Sequence, residues 1–274
     1  MRNLLPLLLC LAIVPGTALA EKRCDKSEAR DLQLDLDGVR TVRVETAQHT
    51  LRLAAAAAGQ HRITGRACAP SSEALAALEL VQKREGDTLV VSARGPDWKL
   101  LGLRPQSDVW MDLAGTVPDD VLVQLVVGSG DVFLDGGARA SADVGSGDAR
   151  VRDVRGLVTG KVGSGDLEVV RAGALKVLAI GSGDVKASGI RGDVEVGSIG
   201  SGDFELEDAG GNVEIGSIGS GDAELERIGG TVKVGSIGSG DLEVLGAAAL
   251  QVSRVGSGDV SHRDVPQVEL PRRK

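Results

Sequence analysis

The sequence predicts an all-β fold, a single-stranded parallel β-solenoid with coils of 17–19 residues behind an irregular, strand-rich start. Three observations carry this reading. The tetrapeptide Gly-Ser-Gly-Asp occurs eight times, starting at Gly128, Gly145, Gly163, Gly181, Gly200, Gly219, Gly238 and Gly256. The steps between copies are 17, 18, 18, 19, 19, 19 and 18 residues. A period that steady marks a repeat architecture. Between copies, apolar and polar residues alternate, as in Val213-Glu214-Ile215, and Gly clusters punctuate them. That is the strand signal, and this much Gly penalises a helix. Finally, aromatics are 1% of the chain and Gly is 39 of 274 residues without a three-residue period. A narrow interior of Val, Ile, Leu and Ala follows, and collagen is excluded.

The apolar positions line up between repeats. One column is Leu175, Val194, Val213, Val232 and Leu250; another is Ile180, Ile199, Ile218, Ile237 and Val255. A third, Ala187, Leu206, Leu225 and Val244, ends on polar His262. Eighteen residues cannot bury their own apolar face, because ordering the backbone costs roughly 1–2 kcal/mol per residue. Stacking on neighbours supplies the missing burial. Successive coils then pair in parallel, about 4.8 Å apart. A hairpin-rich sandwich is the competing fold, but it has no need of like residues at a fixed step.

Taken in order, residues 1–20 read as a signal peptide. Arg2 is followed by an apolar run from Leu4 to Val14, and Ala18-Leu19-Ala20 ends in a cleavage site. The run is too short to span a bilayer, and no later stretch is long and apolar enough. Cys10 follows Leu9, where a lipoprotein signal needs a small residue. Losing residues 1–20 leaves Cys24 and Cys68, which in an exported chain read as one disulfide. Two buried free thiols are the alternative.

Residues 21–120 form the irregular N-terminal part and cap. Val39 to Glu45, Thr50 to Ala54 and His61 to Cys68 read as strands, and Ala54 to Ala58 as a strand end and loop. Ser71-Ser72-Glu73 before Ala74-Leu75-Ala76-Ala77 predicts a short capped helix. Glu85-Gly86-Asp87 turns between strands Leu78–Lys83 and Thr88–Ala93. The loop 94–107 holds Trp98, Leu100, Leu101 and Leu103, either a flap on the solenoid or a binding lip. Residues 121–262 are the regular solenoid. Residues 263–274 are a capping tail, because Pro266, Pro271, Arg272, Arg273 and Lys274 blunt an edge strand.

Stacking puts Asp131, Asp148, Asp166, Asp184, Asp203, Asp222, Asp241 and Asp259 in one row. Neighbours about 5 Å apart repel by roughly 0.9 kcal/mol even in water. Two compensations are open. Each carboxylate accepts backbone N–H groups of its own or the next Gly-rich turn. Otherwise the row holds divalent cations, calcium being the candidate cofactor, although one Asp and one Ser per coil is thin for an ion needing six to eight oxygens. Beside this row Glu205, Glu224 and Glu243 form an outward column in which Arg150, Glu168 and Lys186 stand earlier.

The net charge is −8, and −9 once Arg2 is lost with the signal (−8 − 1). That disfavours nucleic acid and anionic membrane as partners and leaves a cationic ligand, such as a basic peptide. The three histidines, His49, His61 and His262, are dispersed. No serine hydrolase, zinc site or phosphate loop is written here. Arg191-Gly192-Asp193 falls on a turn where Gly is expected anyway.

Val117-Pro118 ahead of a run of Gly-Ser-Gly-Asp units, behind a signal peptide, resembles the bacterial beta-strand-repeat proteins of unknown function, relatives of the autotransporter adhesin head (GIN) domain. The resemblance covers about residues 30–262 and implies a right-handed parallel β-helix on the bacterial envelope with a binding, adhesive or stress-associated role. It transfers no catalytic residue. The expectation is an exported, non-enzymatic scaffold that binds an envelope or surface ligand. A secreted or surface adhesin and a carbohydrate-active β-helix enzyme are the alternatives.

Overall fold

A computed structural model describes residues 24–57, 59–95 and 108–272; the signal segment 1–20 and most of the loop 94–107 lie outside these. The strands are β1 (Lys26–Gln33), β2 (Thr41–Thr46), β3 (Thr50–Ala56), β4 (Arg62–Ala69), β5 (Glu79–Glu85), β6 (Thr88–Arg94), β7 (Trp110–Pro118), β8 (Leu122–Val127), β9 (Asp131–Asp135) and β10 (Arg139–Val144). They continue as β11 (Asp148–Val162), β12 (Asp166–Ile180), β13 (Val185–Ile190), β14 (Val194–Ile199), β15 (Phe204–Ala209), β16 (Val213–Ile218), β17 (Ala223–Ile237), β18 (Leu242–Val252), β19 (Val260–Arg263) and β20 (Val268–Glu269). One short helix, α1 (Ser72–Ala76), interrupts them.

From β8 onward the chain winds as a parallel β-solenoid with two strand segments per coil. On the first face Leu175 pairs with Val194, Val194 with Val213, Val213 with Val232, and Val232 with Leu250. On the second face Val185 pairs with Phe204, Phe204 with Ala223, and Ala223 with Leu242. Like positions therefore sit over one another, and a sandwich is excluded. In β11, β12, β17 and β18 a single strand turns the second corner and serves both faces. The inward columns are dry: Leu175, Val194, Val213, Val232 and Leu250 are all buried. Each such side chain contributes about 1.5–3 kcal/mol as an upper estimate.

The first rungs are not laid down in sequence order. β2 lies between β6 and β8, and β3 between β7 and β9. The chain forms the β2–β3 coil, leaves the stack, and adds the β6–β7 coil on its outer side. The excursion builds a cap. β4 pairs antiparallel with β7 and β1 with β4 on one face, while β5 pairs antiparallel with β6 on the other. Ser71 caps α1 by accepting the Ala74 N–H at 3.2 Å. Ala74, Leu75 and Leu78 pack against the end of the core. A disulfide joins Cys24 to Cys68 with the Cα atoms 5.5 Å apart, clamping the residues just before β1 to β4. At the other end β20 is two residues long, bracketed by Pro266 and Pro271.

Candidate binding face

The geometry of the Gly-Ser-Gly-Asp corner explains each of its residues. In the copy at 219–222, Gly219 N–H donates to Ile199 O at 2.8 Å, and Ser220 and Gly221 N–H both donate to Gly200 O at 2.8 and 3.2 Å. A Cβ on Gly221 would lie 1.9 Å from Gly202 O, and the equivalent contact in other coils is 1.8–2.2 Å. The third position is Gly because two backbones approach there, not because φ is positive. The Asp222 N–H takes a side-chain acceptor in place of the Gly202 carbonyl. The Asp203 carboxylate supplies one at 2.9 Å.

The same bond recurs along the row. Asp166 N–H donates to Asp148 Oδ1 at 3.3 Å, Asp184 to Asp166 at 3.1 Å, and Asp203 to Asp184 at 2.9 Å. Asp241 donates to Asp222 and Asp259 to Asp241, each at 2.8 Å. Asp131 stands at the head of the row, in register with Asp148, whose N–H goes instead to Gly130 O. The structure thus brings the eight aspartates into one line, and the carboxylates of Asp148, Asp166, Asp184, Asp203, Asp222 and Asp241 each accept the N–H of the next Asp. Among the described residues no three His, Cys, Asp or Glu side chains gather into a metal-holding group.

A second ladder of this kind stands at the opposite corner. Asp193 Oδ1 accepts the Asn212 N–H at 2.8 Å, and Asn212 Oδ1 accepts the Thr231 N–H at 3.0 Å. The Arg191-Gly192-Asp193 tripeptide is absorbed here. Arg191 donates to Arg155 O at 2.7 Å, and its Asp holds the next coil.

Five residues after each corner Asp runs a column that sequence reasoning missed. Asp153, Arg171, Asp208, Arg227 and Asp264 have φ of 55–60°, and Gly189 and Gly246 occupy the same place with φ of 67° and 77°. A left-handed Arg or Asp is strained by roughly 1–3 kcal/mol. Stacked ion pairs offset some of that: Arg171 grips Asp153 through two bonds of 2.6 Å, and Arg227 grips Asp208 at 2.6 Å and Glu207 besides. The Arg227 guanidinium holds the Asp208 carboxyl below the usual carboxylate range, as Arg171 does for Asp153. The signal was legible in principle, since Gly alternates with Asp and Arg at one fixed offset.

On the outward side of the second face the charges are sorted along the axis. Glu205, Glu224 and Glu243 stack as expected, and Lys186 pairs with Glu205 at 2.8 Å. Arg150 pairs with Glu168. Toward the N-terminal end the column changes character. Phe133 is half-buried between Arg52 and Arg150, whose guanidinium carbons lie 5.4 and 5.9 Å from its ring centre. Arg52 also pairs with Asp112 at 2.5 Å. Two shallow grooves flank this stack, one lined by Phe133 and the other by Arg52. One, of about 380 Å³, is lined by Phe133, Arg150, Glu168 and Lys186 among others. The other, of about 360 Å³, is lined by Gln48, Arg52, Arg66, Trp110 and Asp112 beside Cys24.

One buried titratable group lies at the base of this region. His49 occupies the third corner position of the β2–β3 coil, is 1% exposed, and accepts the Met111 N–H on Nδ1 at 3.2 Å. Burial lowers its pKa to about 4, partly opposed by the Arg94 backbone, so it is neutral in the fold.

Comparison with known proteins returns no matching family model and no matching curated protein. Solved structures do match. A candidate adhesin from Bacteroides fragilis NCTC 9343 superposes with a TM-score of 0.53 at 16% identity, covering 87% of this chain and 98% of the other. A candidate lipid-binding protein from Parabacteroides distasonis ATCC 8503 gives 0.57 at 14%, covering 87% and 97%. A candidate adhesin from Parabacteroides merdae ATCC 43184 gives 0.54 at 15%, again covering 87% and 97%. At such identities the likeness is one of architecture: the chain shares its fold with these bacterial proteins over nearly their whole length.

Proposed function

We propose that this chain is an exported, non-enzymatic β-solenoid of the bacterial envelope that acts by binding along its outward second face. The observation that carries this is the assignment of the repeated corner to stacking. Gly-Ser-Gly-Asp is the strongest signal in the chain, and its N–H groups and carboxylates are engaged between coils. What varies from coil to coil is the outward column, from Arg52, Phe133 and Arg150 to Glu205, Glu224 and Glu243. Variation on a fixed scaffold is where recognition resides. The Cys24–Cys68 disulfide fits an oxidising compartment, and candidate adhesins among the similar folds support a binding role. No helix among the described residues is long and apolar enough to cross a membrane.

The test is fractionation of cells expressing the full chain, followed by adsorption of purified protein to isolated envelopes. The proposal expects the processed chain in the periplasm or at the surface, and adsorption that weakens when outward charges on the second face are reversed. Recovery of unprocessed chain in the cytoplasm, or adsorption indifferent to those reversals, would overturn it. Release into the medium would favour the secreted-adhesin form of the same reading.

A further inference from the structure

We infer that the N-terminal end of the second face is a carbohydrate-binding strip for an extended glycan chain, with Trp110 and Phe133 as its platforms. This rests on the reading of that face as a binding surface and names its ligand class. Aromatics are 1% of the sequence. Of those among the described residues, Phe204 is buried in the core, while Trp110 and Phe133 are the two half-buried on the outside. Both belong to one strip. Trp110 opens β7, Phe133 sits in β9, and β3 runs between them. Arg52 of β3 stacks on Phe133 and lines the same groove as Trp110, so one side chain bridges the groove of Trp110 and the ring that lines the other. Phe133 and Trp110 are two rungs and four residues apart, a diagonal of roughly 16 Å. A small ligand reaches one of them; a chain reaches both.

The chemistry between the platforms is that of hydroxyl recognition. The Arg52–Asp112 pair places donors beside acceptors, which matches vicinal hydroxyls that donate and accept at once. Gln48 adds an amide on the groove wall. Arg66 lines the groove and makes no ion pair or hydrogen bond among the described residues, leaving a guanidinium for a hydroxyl or a sugar carboxylate. Sugar rings present C–H faces to aromatic rings, and at Phe133 a sugar would take the place of the Arg52 or Arg150 guanidinium, which lie 5.4 and 5.9 Å from the ring centre. A peptide fits less well. β3 and β9 are interior strands paired on both sides, so no edge is open for strand addition. Polyanions such as nucleic acid meet the aspartate row alongside. The disulfide fixes one wall, since Cys24 lines the groove.

Affinity electrophoresis of the purified chain in gels containing dextran, mannan, xylan or alginate tests the inference, with melting followed in parallel. The expected result is retardation by at least one polysaccharide, lost by tenfold or more in affinity in both Phe133→Ala and Trp110→Ala. Arg66→Gln separates the ligand types: it weakens retardation most if alginate, the polyuronate, is the one bound. Phe133 is half-buried on the outside and the melting scan is expected to show its replacement folded, so the test survives if Trp110→Ala fails to fold. Retardation unchanged in Phe133→Ala overturns the inference. So does an absence of retardation by all four in a chain that still adsorbs to envelopes through its second face, an outcome that leaves the broader binding role standing.

Discussion

The close backbone approach at the corner yields the sharpest stability prediction, the replacement Gly221→Ala. The added Cβ would meet Gly202 O at 1.9 Å and its carbon at 2.8 Å. Both are backbone atoms, so the rung itself must move by more than an ångström. Three bonds lie within that movement. Ser220 and Gly221 donate to Gly200 O, and Asp222 donates to the Asp203 carboxylate. Two neutral bonds at about 1 kcal/mol each and one charged bond at about 1.5–3 kcal/mol sum to roughly 3.5–5 kcal/mol. Replacing Gly also stiffens the unfolded chain, which returns about 0.4–1 kcal/mol. The net expectation is a loss of about 3–4 kcal/mol, read by urea unfolding. Ser220→Ala is the control, since its exposed hydroxyl makes no hydrogen bond among the described residues, and should stay within about 0.5 kcal/mol. Equal, small effects for the two replacements would refute the reasoning.

Two further predictions address the corner carboxylates and the buried imidazole. Asp222→Asn keeps an oxygen for the Asp241 N–H and removes a repelled charge, so its melting temperature should match the parent, whereas Asp222→Ala should cost about 1.5–3 kcal/mol. If turn chemistry is the whole role of the row, melting in calcium and in EDTA will coincide; a calcium-dependent rise, lost when Asp203 and Asp222 are both replaced, would restore the cation row. For His49 the folded pKa of about 4 lies below the ordinary 6.5, so the unfolded chain binds the extra proton first. Stability should fall as pH drops from about 6.5 to 4, by about 3 kcal/mol in total, and level off below that. Unfolding at pH 7 and pH 4.5 should show this slope much reduced in His49→Gln.

The regular coils were legible because stacking imposes its own grammar. A column such as Val194, Val213 and Val232 must be apolar in every copy, and the close approach at Gly202 and Gly221 forbids anything larger. Local chemistry was equally readable: Ser71 as a cap, Gly86 in a hairpin turn, and Cys24 with Cys68. The order of the first rungs was not, because whether β8 pairs with β2 or β6 leaves no trace in the periodicity of either strand. The binding strip was hidden for the same reason. Arg52 and Phe133 are neighbours only through the pairing of β3 with β9. The left-handed column escaped because Arg171 and Arg227 do not look like turn residues; their ion pairs to the coil below hold them there.

Like-over-like register is the claim beneath all of this, and cysteine cross-linking reads it directly. Glu205, Glu224 and Glu243 lie outward on three consecutive rungs. Neighbouring rungs are about 4.8 Å apart, within disulfide reach, and alternate rungs about 9.6 Å, beyond it. The account predicts rapid oxidation of the Glu205→Cys/Glu224→Cys pair and none within the chain for Glu205→Cys/Glu243→Cys. The reverse pattern, or no bond in either, would contradict it.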